Sequence, residues 1–415
     1  MGPATHLTCV RCGKDYAPGE LTYVCPCSSW SLLWVHYDYE AAAERLAPAV
    51  LRNHPERGIA RYLPLLPVER RESLPPMAVG GTPLLPVPGY GRSLGLPRLH
   101  LKDDTRNPTG SFKDRASAVG VAVARERSET LVTGASTGNA ASSLAGMAAA
   151  SGIRTIIFVP ASAPEAKLTQ LLVYGATVLA VQGSYDQAFE LSLEATRRFG
   201  WYNRNTGYNP VLLEGKKTVS LEIWEDLGHR VPDAVIVAVG DGCIIGGVGK
   251  GFMDLQRMGQ ISKLPRIYGA QAEGSSVLAK AFESGGPIRP EPDAHTYADS
   301  ICVGEPRAAD PALLAVNESG GGFVVVSDDE IRSAQIELAR ATGIFAEPAG
   351  ATSVAGLRRL VELGLLSAED RVVAILTGHG LKDIQGARSA VGSRPHRIVA
   401  DPDRLEPTLG SLGLL

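Results

Sequence analysis

Six short apolar runs, each followed by a helical stretch, limit this chain to a narrow set of folds. Residues 130–136 (TLVTGAS), 155–160 (TIIFVP) and 177–181 (TVLAV) form one series. Residues 234–240 (AVIVAVG), 266–273 (RIYGAQAE) and 371–378 (RVVAILTG) form a second. The runs are nearly continuous in apolar residues, so each predicts a strand buried on both faces. Stretches such as 139–152 (NAASSLAGMAAASG), 163–175 (APEAKLTQLLVYG) and 328–343 (DDEIRSAQIELARATG) predict the helices between them. Strands alternating with helices in this way pack as parallel sheets covered on both sides. The fold class is therefore α/β, with two doubly wound open-sheet units. Loops at the carboxyl ends of their strands, facing the cleft between the units, make the expected ligand site.

The remaining divisions follow from changes in pattern. Residues 1–40 form a small Cys-bearing segment, and 41–97 a helical and Pro-punctuated connection. Residues 98–392 hold the two α/β units, the smaller at about 120–215, and 393–415 read as an extended tail. A formal net charge of −3 gives no electrostatic reason to expect nucleic acid or a membrane surface as partner. No run is apolar and long enough to span a bilayer. Four of the six cysteines fall at Cys9, Cys12, Cys25 and Cys27. With no basic start and apolar run of a secretory signal, that clustering predicts a reducing cytoplasm and a metal or redox role.

Four loops carry chemistry. In 132–145 (VTGASTGNAASSLA) a strand ends at a small-residue turn and a helix start capped near Thr137 to Asn139. Free N–H groups there, with the hydroxyls of Ser136 and Thr137, suit a carboxylate, although plain helix capping explains the same residues. In 237–251 (VAVGDGCIIGGVGKG) Gly240 and Gly242 let backbone amides converge as they do on a phosphate. The spacing is neither the dinucleotide fingerprint nor a P-loop. In 374–383 (AILTGHGLKD) Thr377 stands at a strand tip, where a hydroxyl can face a ring nitrogen without charging it. His379 nearby is an acid–base candidate whose commoner role is structural. The stretch 106–117 (RNPTGSFKDRAS) places Lys113 behind a helix-opening turn. It is either a solvated lysine on a capped surface helix or an amine held for chemistry. A phosphate-gripping loop, a neutral hydroxyl and a positioned lysine together suit pyridoxal 5′-phosphate (PLP).

NPTGSFKDR, ASTGNAASSLA, EGKKTVSLEI, VGDGCIIGGVGKG and TGHGLKD, in that order, resemble the threonine synthases, enzymes of PLP fold type II (the tryptophan synthase β-like architecture). The resemblance runs from roughly Gly80 to Asp383. It implies that Lys113 carries the cofactor as a Schiff base, with Phe112 beside it, and that Asn139 meets the cofactor's phenolic oxygen. It assigns Gly240, Asp241, Gly242, Cys243 and Ile244 to the cofactor phosphate, Thr377 to the pyridine nitrogen, and Ser136 and Thr137 to the substrate carboxylate. The implied activity is a PLP-dependent lyase converting O-phosphohomoserine and water to threonine and phosphate. Fold-mates imply a homodimer acting on a small amino-acid substrate.

Two positions depart from the family pattern. Leu212 stands where many members have an Arg suited to substrate phosphate, and Ala140 where many have Thr. Lys167 and Arg204 are the substrate-binding candidates left to compensate, with Lys216 and Lys217 as further cations. The departures keep open a β-elimination or β-replacement on a related amino acid, as in serine or threonine dehydratases and cysteate synthase. A non-catalytic relative of the fold would be expected to lack the lysine. Cys9-x2-Cys12 is a good zinc knuckle, but Cys25-Pro-Cys27 is one residue short. The four are thus either a structural zinc site or a reduced, metal-free turn.

Overall fold

The computed structural model describes residues 2–415 except Pro164 and Arg394, with Ala166 and Lys167 described at the backbone only. The chain opens on a three-stranded antiparallel sheet of β1 (Ala4–Cys9), β2 (Asp15–Tyr16) and β3 (Leu33–Tyr37), in the order β2-β1-β3. The helical start of the connection that follows is divided in two. The first helix, α1 (Tyr39–Arg45), is capped by the Asp38 side chain, and α2 (Pro48–Arg52) restarts at Pro48. Proline has no N–H for the helix interior but fits the first turn, hence the break.

After this entry come β4 (Leu84–Pro86), α3 (Pro88–Ser93), β5 (Leu99–Asp103) and α4 (Lys113–Glu126). The smaller sheet then forms from β6 (Leu131–Ala135), α5 (Asn139–Ala150), β7 (Arg154–Pro160), α6 (Glu165–Val173), β8 (Thr177–Val181), α7 (Tyr185–Phe199) and β9 (Tyr202–Asn203). Its four strands are all parallel, in the order β8-β7-β6-β9.

Helix α8 (Val211–Asp226) leads into β10 (Ala234–Ala238), α9 (Cys243–Arg257), β11 (Arg266–Ala272), α10 (Val277–Ser284), α11 (Ala309–Ser319), β12 (Gly322–Val326), α12 (Asp328–Thr342), α13 (Pro348–Glu362) and β13 (Val372–Leu376). The larger sheet has the order β12-β11-β10-β13-β5-β4, parallel throughout except at its β4 edge. The chain ends through α14 (Ile384–Val391) and α15 (Leu405–Ser411). The 393–415 segment is therefore not a purely extended tail: the seven residues of α15 are helical.

The topology fixes where the site lies. In the larger sheet, β11 and β12 lie to one side of β10, and β13 and β5 to the other. In the smaller sheet, β7 and β8 lie to one side of β6, and β9 to the other. Each sheet thus has a topological switch point, at β10/β13 and at β6/β9, where loops part and leave a crevice. All four chemistry-bearing loops follow one of these strands or precede α4.

Candidate active site

The turn before Lys113 is fixed on every side. Phe112 N–H donates to the Thr377 carbonyl at 2.8 Å, and His379 N–H to the Gly110 carbonyl at 2.9 Å. These bonds stitch the turn to the loop after β13. Asp114 turns back to accept Thr109 N–H at 2.6 Å. Arg115 is buried between Asp104 and Glu222, at 2.6 Å from each. With its neighbours committed, the Lys113 amine is left facing a cavity, and the reading as a solvated surface lysine falls. Burial, and then the charge of Arg204, pull its pKa below that of an ordinary lysine. Phe112 is fully buried, behind the cavity rather than in its wall.

That cavity is lined by Lys113, Asn139, Gly240, Asp241, Gly242, Cys243, Ile244 and Thr377, with Glu347 and Ser300. Gly242 caps α9 at φ +90°, and a Cβ on it would lie 2.5 Å from the Ala308 carbonyl oxygen. Only glycine fits there, and the turn leaves the first N–H groups of a 15-residue helix free at its positive end. Asp241 braces the loop from outside: its carboxylate accepts Arg307 N–H at 2.6 Å and its carbonyl accepts Ala308 N–H at 3.0 Å.

Two further recesses adjoin it. One is lined by Ser136, Ala140, Tyr185, Arg204, Thr206 and Arg307. Arg204 follows β9 directly, is almost fully buried, and donates to Ser117 Oγ and Thr206 Oγ1 at 3.0 Å each. Its Nη2 has no partner among the described residues. The other recess contains Thr137, Ser142, Gln170, Glu347 and Lys382. Lys382 Nζ donates to Gln170 Oε1 at 2.7 Å and Ser142 Oγ at 3.1 Å.

Several expectations change. Helix α5 is capped by Gly138 without a side-chain bond, so Thr137 and Asn139 are released from capping. Ser136 Oγ accepts Gly138 N–H at 3.1 Å. Leu212 lies in the apolar core of the smaller unit, and Lys217 is bound to Glu214 and Asp254, so neither serves the cavity. The Lys167 side chain lies outside the described residues. His379 is structural: its Nδ1 accepts Leu381 N–H at 3.1 Å, and its ring packs edge-on against Phe345. Glu347 was not anticipated. It is buried, with both carboxylate oxygens 2.8 Å from Asn139 Nδ2, and burial raises its pKa. Nothing in FAEPAGA distinguishes a buried acid before a proline-started helix from a solvated one.

In the N-terminal segment, Cys9, Cys12, Cys25 and Cys27 converge. Their sulfurs lie within 4.8 Å of one another. Cys9 and Cys27 are 3.6 Å apart and Cys12 and Cys25 3.8 Å apart. Cys12 N–H donates to Cys9 Sγ at 3.4 Å, as in a metal knuckle. Among the described residues no helix is long and apolar enough to cross a membrane.

Residues 76–378 match the model of the pyridoxal-phosphate dependent enzyme family. A threonine synthase of Methanocaldococcus jannaschii is 40% identical over 406 residues, 97% of this chain and 99% of that protein. A threonine synthase of Methanosarcina acetivorans is 40% identical, covering 92% of this chain and 93% of that one. One of Mycobacterium bovis is 36% identical over 78% of this chain and 88% of its own length. Among solved structures, tomato threonine deaminase isoform 2 superposes with a TM-score of 0.65 at 22% identity, over 75% of this chain and 87% of that one. Escherichia coli diaminopropionate ammonia lyase does so at 0.66 and 17% identity, over 85% and 92%. At those identities the structural likeness establishes the fold.

Proposed function

The chain belongs to the pyridoxal-phosphate-dependent enzymes and, within them, to the threonine synthase family, and from that premise we propose that it converts O-phosphohomoserine and water to threonine and phosphate. The observation that carries this reading is the gathering of Lys113, Asn139, the 240–244 loop and Thr377 around one cavity. The residues fit the cofactor. Gly240 and Gly242 shape a cradle in which any Cβ would clash, and the α9 N-terminus presents its N–H groups to a phosphate. Thr377 offers a neutral hydroxyl, and Lys113 an amine with a depressed pKa. The cofactor, when bound, supplies an electron sink that makes the substrate's α- and β-protons removable.

The chain's own residues then have distinct tasks. Lys113 binds the cofactor, and once released it holds and moves protons at the substrate's Cα and Cβ as general base. Ser136 and Thr137, at the mouth of α5, receive the carboxylate. Arg204 takes the substrate phosphate with its free Nη2, supplying from the end of β9 the charge that Leu212 lacks on α8. Asn139, gripped by Glu347, stays aligned toward the cofactor's oxygen. The buried walls of the cavity keep bulk water from competing for these groups.

The four cysteines hold a structural zinc. A zinc ion bound by four thiolates at about 2.3 Å spaces the sulfurs roughly 3.8 Å apart, close to the separations here. The compact Cys25-Pro-Cys27 turn therefore suffices. The chain works as a homodimer in the cytoplasm. The test follows phosphate and threonine together from O-phosphohomoserine: equal release of both is the expected result. Phosphate accompanied by a keto acid would assign a dehydratase instead, and turnover of O-phosphoserine alone a β-replacement enzyme.

A further inference from the structure

One buried cation has no task in the reading above. Lys216 on α8 is fully buried, and its Nζ has no hydrogen-bond partner among the described residues. An isolated ammonium in a dry interior is costly unless an anion meets it. No carboxylate among the described residues bonds to it. Lys217 holds Glu214 and Asp254, each at 2.6 Å, and Asp241 accepts the Arg307 N–H. The Cys243 thiol is raised by burial and gives no counter-charge.

The direction of the side chain follows from helix packing. Leu213 and Lys216 meet α9 at Gly247, and Lys217 and Ser220 meet it at Gly251, so the two helices run parallel. A Cβ on Gly247 would lie 2.6 Å from Lys216 Cβ, so the backbones nearly touch at that level. Helical side chains lean toward their own N-terminus. The stem of Lys216 therefore runs from Gly247 toward Cys243, the first residue of α9. The titratable groups coupled to Nζ agree: they are Cys243, Lys113, Arg204 and Asp241, all around the glycine loop.

We infer that Lys216 is an anchor for the cofactor's phosphate, an ammonium set beneath the first turn of α9. It adds a full charge to the site where the loop presents only backbone N–H groups, against a phosphate carrying about −1.5 to −2. The inference rests on the reading that this loop holds the cofactor. Without an anion, burial holds the amine down at about 8. A bound phosphate restores the charged form, so cofactor and lysine stabilise each other.

The test titrates the full chain, freed of cofactor, with PLP and in parallel with pyridoxal, which lacks the phosphate. Lys216→Gln should weaken PLP at least about tenfold while leaving pyridoxal within about twofold of the parent. Lys216→Arg should recover most of the loss. An unchanged PLP affinity in Lys216→Gln would overturn the inference, and so would an equal loss of PLP and pyridoxal, which reports a damaged site. Neither result bears on whether Lys113 binds the cofactor, since the parent titration and its visible absorption settle that separately.

Discussion

At the residue scale, the neighbours of one amine set its chemistry. Lys113→Ala should remove the visible absorption of the cofactor–lysine linkage and lower turnover by about 10²–10⁴-fold or more. An unchanged spectrum would contradict the assignment. Because the neutral amine attacks the cofactor's aldehyde, loading should rise with pH through the depressed pKa of Lys113. Arg204→Met removes a positive neighbour, so that pKa should move up and the loading profile to higher pH. The same variant should raise KM for O-phosphohomoserine by about tenfold or more, as expected for a lost charged phosphate contact. A profile that stays in place, with KM unchanged, would separate Arg204 from both roles. Lys113 and Thr377 were legible from sequence because each sits at a fixed distance from an unmistakable turn. Arg204 was legible only as a spare charge, since its place beside Ser136 depends on β9 pairing with β6. Glu347 was not legible, because its meeting with Asn139 joins positions 208 residues apart.

Elements hold these residues through glycine contacts and buried ion pairs. Gly242→Ala puts a Cβ against the Ala308 carbonyl at a left-handed φ, a conformation costing about 1–2 kcal/mol in itself. Equilibrium dialysis should show weakened PLP binding for it, while parental affinity would mean the loop does not grip the phosphate. Helices α4 and α8 share a second device, the fully buried Arg115 with Asp104, Glu222 and Lys102. Burial works against a charged Glu222, but Arg115 and Lys102 outweigh it and hold the carboxyl at about 2. A carboxyl depressed by folding adds stability above its ordinary pKa of 4.5, and that contribution is lost as pH falls through about 2. Thermal stability should therefore decline between those values, and Glu222→Gln should flatten that part of the curve. Burial on both faces was expected of all six apolar runs, but the edge strand β8 is exposed or half-buried along its whole length. All six nonetheless became strands, because a short uninterrupted apolar run between turns reads as one. Strand β5 (LHLKD) escaped notice for the opposite reason. Its Lys102 is a charge in an inner strand, tolerated because Glu222 and Asp226 meet it at 2.9 and 2.8 Å.

On the scale of the whole molecule, a small cysteine-bearing sheet is fastened to a two-unit catalytic body. Arg11, in the Cys9–Cys12 turn, reaches Asp310 at the start of α11, and Ala308 just before it supports the glycine loop. Tyr37 of β3 donates to Glu214 of α8 at 2.8 Å, inside the Lys217–Asp254 cluster. Metal analysis should find one zinc per chain, and Cys12→Ser should lose it and lower the melting temperature. A metal-free parent of equal stability would return the segment to a reduced turn. Sequence spacing alone left that choice open, since Cys25-Pro-Cys27 is short and only the three-stranded sheet closes it onto Cys9. The division into two open sheets was legible throughout, whereas the helix in the final segment was masked by its Pro and Gly content. On our proposal, loops from four strand ends converge to make Lys113 the cofactor lysine. Borohydride reduction of the loaded protein, followed by peptide mapping, tests it most directly. A single phosphopyridoxyl group on Lys113 is the expected result; a label on Lys216, Lys382 or any other lysine would contradict the assignment.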